Sequence, residues 1–433
     1  MIIQDLLNKK RLKQELTKEE ISFFVEGVAK DSFKDYEVSA MLMAIAINGM
    51  TDDETTTLTL EMTKTGEVVD LSEIEGIKAD KHSTGGISDT TTVAIVPILA
   101  SLGVKMAKMS GRSLGFTGGT ADKLEAIDGF NTEISKDAFI KNVKEVGASI
   151  ISQTDTIAVA DKKLYAMRDV TSTVQSIPLI ASSIMSKKLA SGADIILLDV
   201  KFGDGAFMKT KRDAEKLSRL MVTIGKNAGK KMCALITSME EPLGAGIGCT
   251  MEIRDAVEVL NGKENALAIV SKQICVEILK LAKGVTDDEA SAMVNDAITS
   301  GKALSKLQEI VKAQGGNEKI ITDLSLLKQA KNKVEIKALN SGYVTKICGE
   351  DLGNACKLIG GGRIHKTDSI LHEVGIDMLV RIGQKVKSGD VIANLYYNEE
   401  NNVNSVISTI NNAIVIENKL FVKKPKLIYK IIR

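Results

Sequence analysis

Residues 81–92 read KHSTGGISDTTT and form the turn of a predicted strand–turn–helix unit. A β-rich run at residues 76–79 precedes this turn, and an apolar run typical of a helix follows at residues 91–102. A strand followed by a glycine turn and a helix forms a βα unit. The segment therefore predicts a largely parallel sheet with helices packed against it.

The same alternation continues along the chain. The further β-rich runs and helical patterns lie at residues 104–109, 136–146, 148–151, 178–190, 194–200, 212–228 and 231–236. Residues 1–66 instead predict helices, and residues from 334 onward predict short strands and turns. The predicted fold class is α/β: a helical lobe, a large mixed or parallel α/β lobe, and a small C-terminal β-rich α+β domain.

The composition excludes several classes of protein. The 433 residues contain 57 Lys plus Arg and 56 Asp plus Glu, which gives a formal net charge of +1. This balance provides no global field for a nucleic-acid backbone or an anionic membrane. No apolar run reaches the ~18 residues of a spanning helix, and charged residues appear too early for a signal peptide. We therefore expect a cytoplasmic protein with no nucleic-acid or membrane partner.

The five cysteines and three histidines do not indicate a disulfide framework or a zinc site. No two cysteines form a CxxC pair, and the histidines do not form an HExxH motif. An odd number of unpaired cysteines is consistent with a reducing compartment.

The turn after the first predicted strand is a candidate anion site. Gly85 and Gly86 allow backbone amides to approach a ligand, Lys81 adds charge, and Ser83 and Thr92 supply hydroxyl groups. A polar turn that merely caps a helix is the alternative interpretation. The turn is neither a Walker loop nor a Rossmann fingerprint, because the chain has no Gly-Lys followed by Ser or Thr and no GxGxxG.

Two further groups of polar residues are candidates for a site. Residues 108–125 read KMSGRSLGFTGGTADKLE and also follow a predicted strand, so this turn is expected to converge with the first on one anion. Arg168, Ser183 and Lys187 form the third group. Ser183 and Lys187 are four residues apart and share one face of the predicted helix. Taken singly, residues of these types are more often solvated surface residues.

Four motifs resemble those of the thymidine and pyrimidine-nucleoside phosphorylase family. Residues 110–125 are similar to the family pattern SGRGLxxTGGTxDKLE. Residues 81–86, 161–171 and 182–188 look like further motifs of this family, in the same order. The resemblance extends over essentially the whole chain.

The resemblance implies three regions. Residues 1–66 and 163–192 are expected to form a helical base-binding and dimerisation lobe. Residues 70–160 and 194–333 are expected to form an α/β phosphate-binding lobe, and residues 334–433 a C-terminal β-rich domain. The two lobes are expected to close over a cleft, and the helical lobes to pair in a homodimer.

The resemblance also implies residue roles. Phosphate is expected to contact Lys81, His82, Ser83, Thr92, Lys108, Met109, Ser110 and Thr120. The nucleoside is expected to contact Lys108, Arg168, Ser183 and Lys187. The implied catalytic residues are His82, Arg168 and Lys187. Phosphate itself would be the nucleophile, so the chemistry requires no cofactor.

The implied activity is the reversible phosphorolysis of uridine, thymidine and deoxyuridine to the free base and a (deoxy)ribose 1-phosphate. A strict thymidine phosphorylase is the near alternative, although such members of the family carry Met at the position of Lys108. An anthranilate-phosphoribosyltransferase-like enzyme is more remote, because the chain has no acidic Mg²⁺ motif. The C-terminal domain resembles biotinyl and lipoyl carriers, but no lysine flanked by Met lies in that domain.

Some members of the family hold a monovalent cation, and this resemblance implies a structural K⁺. The matching positions are Ser88, Thr90, Leu243, Gly246 and Asp255. An ordinary helix N-terminus near residue 251 is the alternative. The chain departs from the family in having Asp255 for Glu, Ser88 and Ser113 for Gly, and Phe116 for His.

Overall fold

The computed structural model describes residues 1–113, 115–154, 156–365, 367–419 and 421–433. This part of the chain contains a group of N-terminal helices, a central α/β region and a C-terminal region with two small sheets. None of its helices is both long and apolar enough to cross a membrane. The predicted fold class is confirmed.

Four helices precede the central sheet, and reciprocal caps fix where two of them begin. The Thr17 hydroxyl accepts from the amide of Glu20 while the Glu20 carboxylate accepts from the amide of Thr17, and Thr51 and Glu54 repeat this arrangement. A buried ion pair of 2.7 Å between Lys10 Nζ and Glu54 Oε1 joins the first and fourth helices. The helices are α1 (Ile3–Arg11), α2 (Lys18–Ala29), α3 (Asp35–Asn48) and α4 (Asp52–Lys64).

The central region follows the predicted βα alternation and continues into further helices. Its elements are β1 (Lys78–Ser83), α5 (Thr91–Ser101), β2 (Lys105–Ser110), α6 (Thr120–Leu124), α7 (Lys136–Glu145), β3 (Ala148–Ser152), α8 (Val159–Val170), α9 (Ile177–Ala190), β4 (Ile195–Phe202), α10 (Lys211–Asn227), β5 (Lys231–Ser238), β6 (Gly246–Ile247), α11 (Cys249–Leu260), α12 (Ala266–Lys283), α13 (Asp287–Thr299) and α14 (Lys302–Ala313). Two short 3₁₀ turns follow, at Glu318–Ile321 and Leu324–Leu326.

The described residues of the C-terminal region, 332–365, 367–419 and 421–433, form short strands and two helices. Its elements are β7 (Asn332–Lys337), β8 (Gly342–Ile347), α15 (Gly349–Leu358), β9 (Gly375–Met378), β10 (Lys385–Val386), β11 (Val391–Tyr397), α16 (Val403–Ala413), β12 (Ile414–Glu417) and β13 (Ile428–Ile432). Most of these strands form two small sheets with the orders β10-β8-β12 and β6-β9-β11-β7, and the second sheet includes β6 of the central region.

The central sheet has the strand order β13-β5-β4-β1-β2-β3, and all its strands except β13 are parallel. The strand predicted at residues 76–79 instead begins at Lys78 and runs to Ser83. Pairing with β4, from Ala79 opposite Ile195 to Ser83 opposite Asp199, extends β1 through a polar run whose own strand propensity is low. Lys81 and His82 therefore lie in the strand itself and not in the turn after it.

Two contacts between regions position the site. Helices α8 and α9 pack back onto the N-terminal helices, with Ala160, Leu164 and Leu179 in their apolar core. The C-terminal region is joined to the central region by strand pairing, β9 with β6 and β13 with β5. The exact boundaries of the three regions remain a prediction from the sequence.

Candidate active site

Lys81 lies near the carboxyl end of β1 and is fully buried among paired charges. Its Nζ is 3.2 Å from Asp199 Oδ2 and donates to Thr91 Oγ1 at 2.5 Å. Lys201 Nζ is 2.9 Å from the same Asp199 oxygen and 3.6 Å from Asp89 Oδ2. Burial by itself would raise the pKa of Asp89, but the charges of Lys201 and Lys81 lower it far below its usual value. The group therefore remains ionised although it is buried.

Hydroxyl groups and backbone amides lie at the turn that follows β1. Ser83 Oγ donates to Asp89 Oδ2 at 2.5 Å and accepts from the amide of Gly85 at 3.1 Å. Gly85 has a φ of +91°, a conformation that glycine adopts without strain. Thr92 is buried in the first turn of α5. The turn thus leads into a helix N-terminus, where backbone amides favour an anion.

The end of β2 lies beside β1 at the same edge of the sheet. Parallel pairing of Lys78 with Lys105 and of Ala79 with Met106 aligns the two strands. Ser110 is the last residue of β2, and Thr120 is the first residue of α6. The two predicted anion turns therefore follow adjacent parallel strands.

Asp80 connects β1, β2 and α9 through two buried lysines. Lys108 Nζ is 3.3 Å from Asp80 Oδ1 and donates to the Met109 carbonyl at 2.7 Å. Lys188 Nζ is 2.8 Å from Asp80 Oδ2 and donates to the same carbonyl at 3.0 Å. Burial lowers the pKa of Lys108 to about 7, although Asp80 opposes this effect. Helix α9 is thereby fixed against the ends of the two strands.

His82 is half-buried and lies near several cations. Burial lowers its pKa well below the usual value, and the charges of Lys188, Lys108, Lys81 and Lys187 lower it further. The imidazole is therefore neutral at pH 7. A neutral imidazole offers one N–H donor and one acceptor nitrogen, and it carries no positive charge.

Ser183 and Lys187 lie on one face of α9, where both contact Asp161 of α8. Ser183 Oγ donates to Asp161 Oδ2 at 3.0 Å, and Lys187 Nζ lies 2.5 Å from the same oxygen. Lys187 Nζ also lies 3.0 Å from Ser183 Oγ. Asp161 is only 3% exposed. This carboxylate was not among the site residues predicted from the sequence, although it is the first residue of the motif at 161–171.

Arg168 is buried and orders the connection between α8 and α9. Its guanidinium donates to three backbone carbonyl groups, those of Thr173 (3.3 Å), Val174 (2.7 Å) and Leu179 (3.0 Å). The Tyr165 ring centroid lies 5.8 Å from Arg168 Cζ and 5.6 Å from Lys187 Nζ. Both predicted base-binding cations therefore lie within the range of a cation–π contact with the same ring.

The five residues predicted to bind K⁺ lie on two adjacent segments. Ser88 Oγ donates to the Gly246 carbonyl at 2.5 Å, and Asp255 Oδ2 accepts from the amides of Ala245 and Gly246, each at 2.7 Å. The amide of Leu243 donates to the Ile87 carbonyl. Thr90 Oγ1 instead donates to Glu252 Oε2 at 2.9 Å. Burial raises the pKa of Asp255 to about 6.

Besides Asp255, three residues depart from the family pattern, and each has a specific contact or conformation. Ser88 has a φ of +56°, a region that favours glycine, and its hydroxyl bonds Gly246 as described above. Ser113 Oγ accepts from Arg363 Nη1 at 3.0 Å. The Phe116 ring packs on Phe207 with centroids 5.5 Å apart.

The helical region and the α/β region both match domains of a glycosyl transferase family. Residues 4–66 match the helical bundle domain of the glycosyl transferase family, and residues 75–304 match the a/b domain of that family. Residues 343–417 match the pyrimidine nucleoside phosphorylase C-terminal domain. A solved structure of anthranilate phosphoribosyltransferase from Thermus thermophilus has a TM-score of 0.59 at 16% identity, covering 71% of this chain and 98% of that one.

Curated relatives identify the family more narrowly. Two proteins from Staphylococcus aureus, of strains MSSA476 and N315, are named pyrimidine-nucleoside phosphorylase. Each is 46% identical over 434 residues, covering 99% of this chain and 99% of the relative. The chain belongs to the pyrimidine-nucleoside phosphorylase family of enzymes. The resemblance noted in the sequence is confirmed.

Proposed function

We propose that this chain catalyses the reversible phosphorolysis of uridine, thymidine and deoxyuridine to the free base and a (deoxy)ribose 1-phosphate. The observation that carries the proposal is the cluster of Asp161 on α8 with Ser183 and Lys187 on α9. Lys188 of α9 binds Asp80 of β1 and the Met109 carbonyl of β2, which sets this cluster against the two strands. The cluster can bind a polar base while the two strand ends bind an anion. The relatives' name, pyrimidine-nucleoside phosphorylase, supports a phosphorolysis of pyrimidine nucleosides.

In this reaction a phosphate oxygen forms a bond to C1′ of the sugar as the C1′–N1 bond breaks. The bonding electron pair leaves with the pyrimidine, so negative charge develops on its carbonyl oxygens. Lys187 and Arg168 stabilise that charge. The neutral His82 donates a hydrogen bond to a base carbonyl, and Ser183 bonds the ring-nitrogen edge.

Phosphate is bound at the strand ends, on the side of C1′ that is opposite to the base. Its proposed contacts are Lys81, Ser83, Thr92, Lys108, Ser110 and Thr120, together with the backbone at His82 and Met109. Lys81 is already held by Asp199, which gives its ammonium group a fixed direction before phosphate binds. Placing the two reactants in line is the main contribution of such a site.

A structural potassium ion is part of the proposal. The oxygen atoms near Ser88, Gly246 and Asp255 suit a hard monovalent cation. A Cβ on Gly244 would lie 2.4 Å from Ser88 Oγ and 2.6 Å from Asp255 Oδ2, so only glycine at this position allows both oxygens to approach the backbone so closely. A bound cation would also compensate the buried carboxylate of Asp255. The ion would order the segment after β5 and take no part in bond breaking.

A homodimer formed through the helical region is also part of the proposal. Tyr36, Met43 and Ile47 of α3 are 73%, 39% and 74% exposed. Their spacing of seven and four residues places them on one helix face. An exposed apolar face of this kind marks a contact surface, and a second copy of the chain is the proposed occupant.

The reaction is tested by following the ultraviolet absorbance of the nucleosides with and without inorganic phosphate. We expect base release from uridine, thymidine and deoxyuridine that depends on phosphate and yields a pentose 1-phosphate. Equal release without phosphate would show a hydrolase and reject the proposal. Activity on thymidine without activity on uridine would favour a strict thymidine phosphorylase.

A further inference from the structure

Arg363 is a C-terminal residue whose side chain reaches the turn between β2 and α6. It follows three consecutive glycines, residues 360–362, which come shortly after α15. Arg363 Nη1 donates to Asp122 Oδ1 at 2.8 Å and to Ser113 Oγ at 3.0 Å. Its Nε donates to the Asp368 carbonyl at 3.2 Å, which holds the guanidinium from its own side.

Asp122 transmits this contact to the backbone of the turn. Its Oδ2 accepts from the amide of Ser113 at 2.6 Å, while its Oδ1 accepts from Arg112 Nη1 at 3.2 Å. The carboxylate is only 1% exposed, so a lost partner would not be replaced by bulk water. Arg363 therefore binds the acceptor that fixes the turn at Ser113.

The turn fixed in this way has the proposed phosphate ligands Ser110 and Thr120 at its two ends. A Cβ on Gly119, the residue before Thr120, would lie 2.3 Å from the amide nitrogen of Ser113. The two sides of the turn are thus in close contact. A shift at Ser113 is therefore passed directly to the segment that carries Thr120.

The C-terminal region is attached to the central region at two places by strand pairing, so Arg363 approaches the turn from a fixed position. The pairing of β9 with β6 and of β13 with β5 supplies backbone hydrogen bonds across the boundary. Helix α15 also packs on the turn, since a Cβ on Gly353 would lie 2.4 Å from the Phe116 carbonyl oxygen.

We propose that Arg363 is a positioning residue that holds the turn between β2 and α6 in its phosphate-binding arrangement. The C-terminal region then contributes to phosphate affinity through the turn that Arg363 holds in place. This inference rests on the proposed function, because the proposed function assigns phosphate to that turn.

The test uses the full-length protein and two measurements. Calorimetric titration with inorganic phosphate gives the phosphate Kd without nucleoside, and steady-state kinetics give KM for each substrate. Because a charge-assisted hydrogen bond to a buried carboxylate is lost, we expect Arg363→Met to raise the phosphate Kd and KM by about tenfold or more. The nucleoside KM should change by less than about twofold, which separates phosphate positioning from general damage. Arg363→Lys, which keeps the charge, should restore part of the affinity.

Arg433→Met is the matched control. Arg433 also reaches from the C-terminal end to the central region, where it binds the buried Glu277 at 2.8 and 3.0 Å, without contact to the turn. We expect it to leave the phosphate Kd unchanged. Equal weakening in both variants would assign the effect to the attachment of the region and overturn the inference, as would an unchanged Kd in Arg363→Met.

Ser113→Ala provides a milder variant should Arg363→Met not fold. It removes only a neutral acceptor, so a rise in the phosphate Kd of about two- to tenfold is expected. No rise would contradict the inference. If the wild type binds phosphate and releases base, and these variants have the same phosphate Kd as the wild type, the inference is overturned but the proposed function stands. A wild type that does not bind phosphate would remove the proposed function and the inference with it.

Discussion

Lys187 has its charge compensated before any base is bound, because Asp161 lies 2.5 Å from its Nζ. We expect Lys187→Met to lower kcat/KM by about 100-fold or more, because the cation that stabilises the leaving base is lost. Its side chain is 23% exposed, so the fold should be retained. Steady-state kinetics and circular dichroism measure the two effects, and near wild-type kinetics would reject the role.

Asp161→Asn is the companion variant to Lys187→Met. It keeps the cation but removes the carboxylate that orients it, so we expect a smaller loss in kcat/KM.

Arg168→Ala is less informative. Arg168 binds the carbonyls of Thr173, Val174 and Leu179, so its removal would disturb the connection between α8 and α9 as well as the chemistry.

Lys108 is expected to determine the preference of the enzyme for uridine over thymidine. An ammonium group can donate to a ribose 2′-hydroxyl, whereas the thioether of Met has no donor. Lys108→Met should therefore reduce kcat/KM for uridine more than for thymidine, by about 1.5–3 kcal/mol. Kinetics with both nucleosides in wild type and variant give the ratio. If both slow equally, Lys108 only adds positive charge near phosphate.

Asp255 of α11 links pH to the proposed potassium site. Burial raises the pKa of Asp255 from 3.8 to about 6. Between these values the folded protein keeps a proton that the unfolded chain has lost, so this group's contribution to stability falls as pH rises through the window. A cation bound to the ionised carboxylate opposes this loss.

We therefore expect KCl to raise the Tm at pH 7.5 and to have little effect at pH 5, where Asp255 is protonated. Choline chloride at equal ionic strength controls for general salt effects. Asp255→Asn should abolish the specific effect of KCl. The same KCl-dependent rise at both pH values, or its persistence in the variant, would show that Asp255 is not a ligand.

The assembly of the whole molecule is tested at α3. The exposed face of Met43 and Ile47 should be covered by a second copy, and a charge placed there would be buried without a partner. Light scattering should give twice the 46.5 kDa chain mass for the wild type and the single chain mass for Ile47→Lys. Leu339→Lys changes a residue of the C-terminal region that is 71% exposed, and it should stay dimeric. A monomeric wild type would reject the dimer.

Local patterns in the sequence determined most of the elements of this protein. Thr17 with Glu20 and Thr51 with Glu54 mark helix starts because their hydrogen bonds form within one turn. The spacing of Ser183 and Lys187 predicts a shared helix face for the same reason. The alternation of strands and helices predicts the central sheet, because each unit folds from adjacent residues.

Only the tertiary structure decided the contacts between distant segments. The polar run at Lys81–Ser83 becomes a strand because β4 pairs with it, and β13 joins the central sheet by pairing with β5. Asp161 meets Lys187 across two helices, and Arg363 meets Asp122 across 241 positions. Such pairs leave no periodic signal in one sequence, because their partners are chosen by packing and by the cost of burying an unpaired charge.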